Sequence, residues 1–342
     1  MRSRQNALSP EGRRAELRIS GKRLELFNQM KRQLISDYEC CLWPMSRCTN
    51  AAIRAHSVQN RRVLDLLSAG GHVVMPRIHA SPRQPPSVRF ELVGRNEATT
   101  FTGLCAKHDQ ELFRAIDTEL VNVENAKQMF LLAYRALLKE AHASRKAAID
   151  VQTTYVVGAR ERLWPRDRPS PAGEAAVERM IAAFQVYTAE EQFGIAFANH
   201  DWTRVAHEVM MLPGRPALAV SSMLSTGIYS ATVDGPAFAY ITLLPLHSQT
   251  AAVLSFLADD REQANEAFGS VWNADGERAE YLLSRLVLKR CENLVISPSV
   301  FESFSERQKE AIRVYYERNT FGQECEVEDP RLSLFRAVRP EE

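Results

Sequence analysis

Apolar residues recur along this chain with two different periods, which predict two kinds of element. Segments in which they return every three or four positions predict helices over residues 109–150, 173–193, 261–295 and 302–317. Segments of β-branched or alternating apolar and polar residues predict strands over residues 72–75, 88–93, 205–212, 217–222, 238–244 and 251–256. The fold class that follows is α+β, with a helical middle and a mixed sheet-and-helix C-terminal domain.

The N-terminal third adds shorter elements. Residues 21–37 carry apolar side chains at helical spacing and predict a helix behind a polar, Arg-rich start. Residues 61–69 predict a short helix that ends at Gly70 and Gly71. Residues 79–87 are rich in proline and predict a loop.

These patterns divide the chain into four segments. We predict a basic N-terminal segment and helix over residues 1–37, followed by a module rich in Cys and His over residues 38–118. A helical region over residues 119–200 leads to an α+β C-terminal domain of unknown role over residues 201–342.

Composition limits the class of protein. The 342 residues are 45% hydrophobic and 25% charged, which is ordinary for a soluble globular protein with room for two cores. No apolar run approaches the roughly 20 residues that cross a bilayer, so we expect no membrane partner. The basic N-terminus has no apolar run behind it, which argues against a secretory signal. Six cysteines without such a signal indicate metal ligands in a reducing cytoplasm.

The charges are spread unevenly. Residues 1–109 hold 18 Lys and Arg against 9 Asp and Glu, whereas the remainder holds 25 against 33. A basic front joined to an acidic back indicates contact with a polyanion through the front. Chance variation between domains is the alternative.

The most informative motif consists of two short pairs of potential metal ligands. Cys41 and Cys48 form a C-x6-C pair, and Cys105 and His108 form a C-x2-H pair at the start of a predicted helix. Two thiolates from a loop and a thiolate and imidazole from a helix make a closed tetrahedral zinc set. Cys40 is a second candidate for the ligand position of Cys41. The alternative to a zinc site is that these four residues are buried for unrelated reasons.

His56 lies between these pairs. A histidine there could act as a general base that activates water against a phosphodiester, or it could replace a zinc ligand or pack inside the module. Arg54, Arg61 and Arg62 lie close to it in sequence. They could clamp phosphate oxygens, or they could form a solvated face.

The order of the Cys pair, Ala55-His56, two strands and then Phe101 to Asp109 resembles the treble-clef form of the HNH (His-Me finger) nucleases. The resemblance covers about residues 38–118. It implies a structural zinc and a ββα-type module in which His56 is the general base. It places Asn60 near the middle asparagine of the family and Asp109 at the helix position that binds a catalytic Mg or Mn. Ala55 departs from the acidic residue that many members have before the histidine.

The resulting hypothesis is a metal-dependent HNH-type endonuclease that cleaves nucleic acid, with DNA favoured and a role in bacterial defence implied by the resemblance. The C-terminal domain would then bind a protein partner or form a homo-oligomer. The rival is a non-catalytic zinc module that binds nucleic acid or protein, which Ala55 favours. A third option, an enzyme in the back half, has no motif to support it.

Overall fold

The structure is a computed structural model that describes residues 21, 22, 25, 28, 38–81, 84–164, 168–214, 217–246, 248–323 and 325–338. The helix predicted over residues 21–37 falls largely outside these residues. Nine strands are described, numbered in chain order: β1 Ala52–His56, β2 His72–Ser81, β3 Gln84–Gly94, β4 Thr100–Cys105, β5 Val205–Pro213, β6 Leu218–Tyr229, β7 Pro236–Pro245, β8 Gln249–Leu257 and β9 Leu294–Ile296.

The described helices of six residues or more are α1 Ala106–Asp117, α2 Ala126–Arg160, α3 Pro171–Ala198, α4 Arg261–Trp272, α5 Gly276–Arg290, α6 Pro298–Ser303 and α7 Glu306–Thr320. Short turns of helix complete the description: a π-helical turn over Asn60–Leu64, an α-turn over Asp65–Leu67 and 3-10 turns over Trp202–Arg204, Ala258–Asp260 and Pro330–Leu332. The α+β class is therefore confirmed. None of the described helices combines the length and apolarity needed to cross a membrane.

A seven-stranded sheet organises most of the chain, with strand order β3-β2-β9-β6-β7-β8-β5. The strands β5 to β8 pair with antiparallel registers, as do β6 and β9. Strand β9 was not predicted, because Leu294–Ile296 is only three residues long and follows a strong helical pattern. It pairs with β2 through Val74 and Ile296, so the sheet takes two strands from the N-terminal third.

The interior strand β7 is buried on both faces. Ala239, Ile241 and Leu243 belong to a core with α4, α5 and α7. The alternate residues Phe238 and Tyr240 belong to a second core that contains the apolar residues of α1, α2 and α3. Successive side chains of a strand point to opposite faces, so a nearly continuous apolar strand is the expected sequence for a sheet covered on both sides.

The segment over residues 79–87 is a correction to the sequence analysis. Its described residues belong to strands β2 and β3 rather than to a proline-rich loop. Strand β3 lies at the edge of the seven-stranded sheet. Proline cannot donate a backbone hydrogen bond, and an edge strand tolerates it because one side of its backbone has no neighbour. Pro85 and Pro86 near the start of β3 fit that rule.

The described residues form two compact units. One contains the described residues within 1–38, 82–84 and 143–184, and the other contains those within 39–81, 85–142 and 185–342. The Cys and His motifs and the whole seven-stranded sheet, apart from the first residue of β3, fall in the second unit. The four-segment division of the sequence stays a prediction.

The segment that carries His56 is attached to the sheet by a buried amide. The side chain of Asn293, 3% exposed, donates from Nδ2 to Ser57 Oγ at 2.7 Å and to the Ser221 carbonyl at 2.9 Å. Ser57 Oγ in turn donates to the Thr99 carbonyl at 2.9 Å. The loop after β1, the start of β4 and strand β6 therefore share one polar network inside the protein.

We predict that Asn293→Ala lowers the free energy of unfolding by about 1–3 kcal/mol, because it leaves buried acceptors without a donor. Urea unfolding followed by circular dichroism measures the change. The matched control is Asn199→Ala, an exposed residue at the end of α3, which should change the free energy by about 0.5 kcal/mol or less. Equal effects of the two substitutions would contradict the assignment.

Candidate metal centre and hairpin histidine

The segment that contains Cys41, the first residue of the first Cys pair, runs alongside strand β4. The backbone N–H of Cys40 donates to the Thr102 carbonyl at 3.2 Å, and that of Leu42 donates to the Gly103 carbonyl at 2.9 Å. Neighbouring residues of an extended segment point in opposite directions, so the side chains of Cys40 and Cys41 diverge. Cys41 is the one whose sulfur approaches Cys105 and His108, which resolves the alternative left open by the sequence.

The second pair lies where a strand becomes a helix. Strand β4 ends at Cys105, and helix α1 begins at Ala106 with Cys105 as its N-cap residue. Residues three apart at the start of a helix lie on the same side, so Cys105 and His108 turn towards the same point. Strand β1 pairs antiparallel with β4, with Ala52 opposite Cys105 and His56 opposite Thr100. The strands β2 and β3 are insertions between these two strands.

The four predicted ligands come together. One donor atom from each of Cys41, Cys48, Cys105 and His108 lies within 4.8 Å of all the others. His108 Nδ1 is 3.3 Å from Cys41 Sγ and 3.4 Å from Cys105 Sγ, and the sulfurs of Cys48 and Cys105 are 3.9 Å apart.

These separations fit the edges of a zinc tetrahedron. With Zn–S of about 2.3 Å and Zn–N of about 2.0 Å, tetrahedral geometry places two sulfurs about 3.8 Å apart and a sulfur and a nitrogen about 3.5 Å apart. Three thiols and one imidazole are soft donors of the kind that structural zinc prefers. The residues of this cluster can therefore hold a metal ion such as zinc.

Residues around the cluster orient the ligands. The ring of Trp43 stacks on the His108 imidazole with centroids 4.4 Å apart and planes 8° from parallel. The backbone N–H of Cys105 points to Cys41 Sγ at 3.4 Å, and Asn50 Nδ2 lies 3.9 Å from Cys105 Sγ. Contacts of this kind fix the geometry of a metal ligand and are part of a metal site.

The thiols differ in their readiness to ionise. Burial raises the pKa of the Cys41 thiol to about 12. Burial also opposes ionisation of Cys105, but hydrogen bonds from the His108 backbone and from neighbouring side chains outweigh it and lower the pKa of that thiol. A metal ligand must be a thiolate, so binding of a cation would release protons from this cluster.

His56 is held in one orientation at the end of β1. Its Nδ1 lies 3.0 Å from the Ala98 carbonyl oxygen, an acceptor, so Nδ1 carries the hydrogen in the neutral imidazole. The other ring nitrogen, Nε2, is then the one with a lone pair. Partial burial and the positive charge of Arg135 lower the pKa of His56, while the Ala98 carbonyl and Asp117 act in the opposite direction.

An ion pair between a buried arginine of α2 and a half-buried aspartate of α1 contributes to the electrostatics of His56. Arg135, 4% exposed in its side chain, donates from Nη1 and Nη2 to the two carboxylate oxygens of Asp117 at 2.9 and 2.7 Å. The Arg135 guanidinium also lies 4.1 Å above the ring centroid of Phe113. Burial raises the pKa of Asp109, one turn earlier than Phe113 on the same face of α1, while the positive charge of Arg135 lowers it.

Arg135 is a residue that the sequence analysis missed. Its signal was a single charge within the apolar run over residues 129–138. A charge in such a run is seldom buried unless it is paired, so Arg135 pointed to a carboxylate partner on another element. Only the fold identifies that carboxylate as Asp117.

The remaining candidates lie on or after β1. Arg54 is exposed on β1, Arg61 is exposed on the π-helical turn, and Arg62 donates from Nη2 to the Thr118 carbonyl at 2.7 Å. Asn60 donates from Nδ2 to Asn96 Oδ1 at 2.9 Å. Their roles toward nucleic acid or a catalytic metal stay predictions.

We predict that the purified protein contains about one zinc per chain and that Cys41→Ser loses it, because the remaining donors no longer form a closed set. Elemental analysis of protein refolded with and without zinc measures the content. Cys40→Ser is the matched control and should keep the metal, since its sulfur lies outside the cluster. Equal zinc content in the two variants would contradict the assignment of Cys41.

No family model matches the chain, and neither a curated protein nor a solved structure matches it.

Proposed function

We propose that the protein is a zinc-containing, metal-dependent endonuclease of the HNH type. The observation that carries the proposal is the placement of His56. It ends the first strand of a two-stranded hairpin whose second strand runs directly into α1, and the Cys and His cluster lies where β4 meets α1. In a treble-clef nuclease module the same three parts hold the structural zinc and aim the general base.

The imidazole of His56 is suited to accept a proton. Its Nδ1 is engaged by the Ala98 carbonyl, which leaves Nε2 as the basic nitrogen. A pKa lowered by burial keeps the ring neutral at pH 7, so it is ready to act as a base. In the proposed reaction Nε2 takes the proton of a water molecule as its oxygen attacks phosphorus, and the bond from phosphorus to the leaving oxygen breaks.

The opposite side of the site is formed by α1. Asp109 lies in the first turn of α1 and is partly buried. We assign it, with Asn60, as an oxygen ligand for Mg or Mn, which when bound would neutralise charge on the phosphate. The pairing of β1 with β4, which leads directly into α1, supports a common site for Asp109 and His56.

The basic residues of the hairpin support nucleic acid as the substrate. Arg54 and Arg61 are exposed, and residues 1–109 carry the excess of positive charge in this chain. A surface of this kind binds phosphates with little regard to sequence. We retain DNA as the favoured substrate and the C-terminal domain as the part that would bind a partner or a second copy.

The alternative is a zinc module that binds nucleic acid or protein without cleaving it. Ala55 favours this alternative. It is 3% exposed and apolar where many HNH nucleases have an acidic metal ligand. The Arg135 guanidinium neutralises the charge of the Asp117 carboxylate. The surroundings of His56 therefore have little negative charge left to attract a divalent ion.

We predict that the wild-type protein nicks supercoiled plasmid in the presence of Mg²⁺ or Mn²⁺ and that His56→Ala abolishes nicking while zinc content is unchanged. Gel analysis of the plasmid and elemental analysis of the protein measure the two properties. His72→Ala, an exposed histidine of the same unit, is the matched control and should nick normally. Nicking by His56→Ala would remove His56 from the mechanism, and absence of nicking by wild type with either ion would favour the binding module.

The influence of the Arg135 charge on the pKa of His56 leads to a second prediction. A base must be neutral to accept a proton, so the nicking rate should fall as pH falls through the pKa of His56, below its usual value of 6.5. Arg135→Gln removes a positive charge that lowers this pKa, so the acidic limb of the pH profile should move to higher pH. Arg135→Lys keeps the charge and is the control.

The same shift can be measured without catalysis. Titration of the His56 ring by NMR should give a higher pKa in Arg135→Gln than in Arg135→Lys, provided that both variants unfold cooperatively in urea. An unchanged His56 pKa in folded Arg135→Gln would contradict the proposed electrostatic contact.

A further inference from the structure

We infer that the cavity beside the hairpin histidine binds one nucleobase of the nucleic acid that the site cleaves. This inference rests on the proposed function and adds to it the substrate group that is held next to the scissile phosphate. The cavity has a volume of about 310 Å³. That lies at the small end of the roughly 300–1,000 Å³ typical of ligand pockets, which suits a single flat ring system.

The lining of this cavity combines apolar and basic side chains. Its apolar part, the floor, consists of aliphatic side chains that include Val63, Leu66, Leu120, Val121, Leu244 and Leu246. Two of these are unusually open for leucine: Leu120 is 80% exposed and Leu66 is 42% exposed. Exposed leucines at a concave surface are the kind of apolar patch that marks a binding site.

The charge at the mouth of the cavity selects an anionic ligand. Arg61 and Arg62 line it, and the one acidic residue among its lining residues, Asp65, is paired with Arg95. The local charge is therefore positive. Arg62 donates a hydrogen bond from Nη2 to the Thr118 carbonyl. Its Nη1 is shielded from solvent and has no hydrogen-bond partner in the described part of the chain. Such a donor is available to a base edge or a phosphate oxygen.

The backbone at the cavity is also unusual. Residues Asn60–Leu64 form a π-helical turn, in which the N–H of Leu64 donates to the Gln59 carbonyl at 3.0 Å. A π turn holds one more residue per turn than an α-helix and occurs often at functional sites. Here three consecutive residues of the turn, Arg61, Arg62 and Val63, all line the cavity.

The cavity is connected to His56 by the short chain segment that follows β1. Gln59, which lines the cavity, lies three residues after His56, so the two are at most about 11 Å apart along the backbone. Gln59 is held there by the hydrogen bond from its Nε2 to the Asp117 carbonyl at 2.8 Å. A nucleotide whose phosphate lies at His56 can therefore place a neighbouring base over Leu66, with Arg61 and Arg62 against its phosphates.

Two single-stranded DNA oligonucleotides of equal length and charge test this inference. One carries normal bases, and the other carries abasic tetrahydrofuran sugars throughout. Binding is measured by fluorescence anisotropy with His56→Ala, without added Mg²⁺ or Mn²⁺, so that no cleavage intervenes. We expect the normal oligonucleotide to bind about tenfold more tightly, which is within the range that contacts to one base supply.

The floor of the cavity is tested in the same His56→Ala background. Leu66→Glu should abolish the preference for the normal oligonucleotide, because it places a charge under the base. The ratio of the two dissociation constants cancels the effect of that charge on the phosphates, which both oligonucleotides share. Leu92→Glu, at a leucine of β3 that is 61% exposed and outside the cavity, is the matched control and should keep the preference. Urea unfolding verifies that both variants are folded.

The outcomes separate the two proposals. Equal affinity for the two oligonucleotides, or a preference that survives Leu66→Glu, overturns the base pocket while plasmid nicking by wild type still supports the nuclease. Absence of both nicking and binding to either oligonucleotide overturns the proposed function and the base pocket together. A preference that is lost in Leu66→Glu and kept in Leu92→Glu supports the pocket.

Discussion

The N-terminal module depends on the convergence of three sulfurs and one imidazole nitrogen at the point where β4 becomes α1. The four donor atoms lie within 4.8 Å of one another, three of the pairs at 3.3 to 3.9 Å, which suits a single shared cation. Once a cation joins them, the Cys41–Cys48 segment, the hairpin and the first turn of α1 are fixed as one piece. The orientation of His56 is a consequence of that fixation, since β1 is held by its pairing with β4.

Two buried polar contacts extend this rigidity beyond the cluster. Arg135 links α2 to the last turn of α1 through Asp117, and Asn293 links the residue after His56 to strand β6. Both contacts satisfy groups that would be costly to bury alone. The histidine is thus positioned by the body of the protein as well as by the pairing of β1 with β4, and the proposed general-base role would benefit from that rigidity.

The sequence predicted the parts of this structure that local pattern governs. The zinc set was predicted because its ligand types and C-x2-H spacing reflect the start of a helix. The strands β5 to β8 were predicted because a sheet covered on both faces needs continuous apolar runs. Long-range pairing was not predictable. Nothing local to residues 79–87 indicates an edge strand, and nothing local to Leu294–Ile296 indicates a partner for β2. The Arg135–Asp117 pair joins residues whose meeting depends on how two helices pack.

The pairing of β2 with β9 has a consequence for synthesis of the chain. Val74 lies more than 200 residues before its partner Ile296, so β2 is synthesised long before the strand on its inner side. Contacts this distant slow folding and expose edges that invite association between nascent chains. The prolines near the start of β3 work against such association, because a strand that lacks N–H donors is a poor template for another strand. A truncated piece that ends before β9 would keep the cysteine pairs and lose this partner, and we expect it to aggregate.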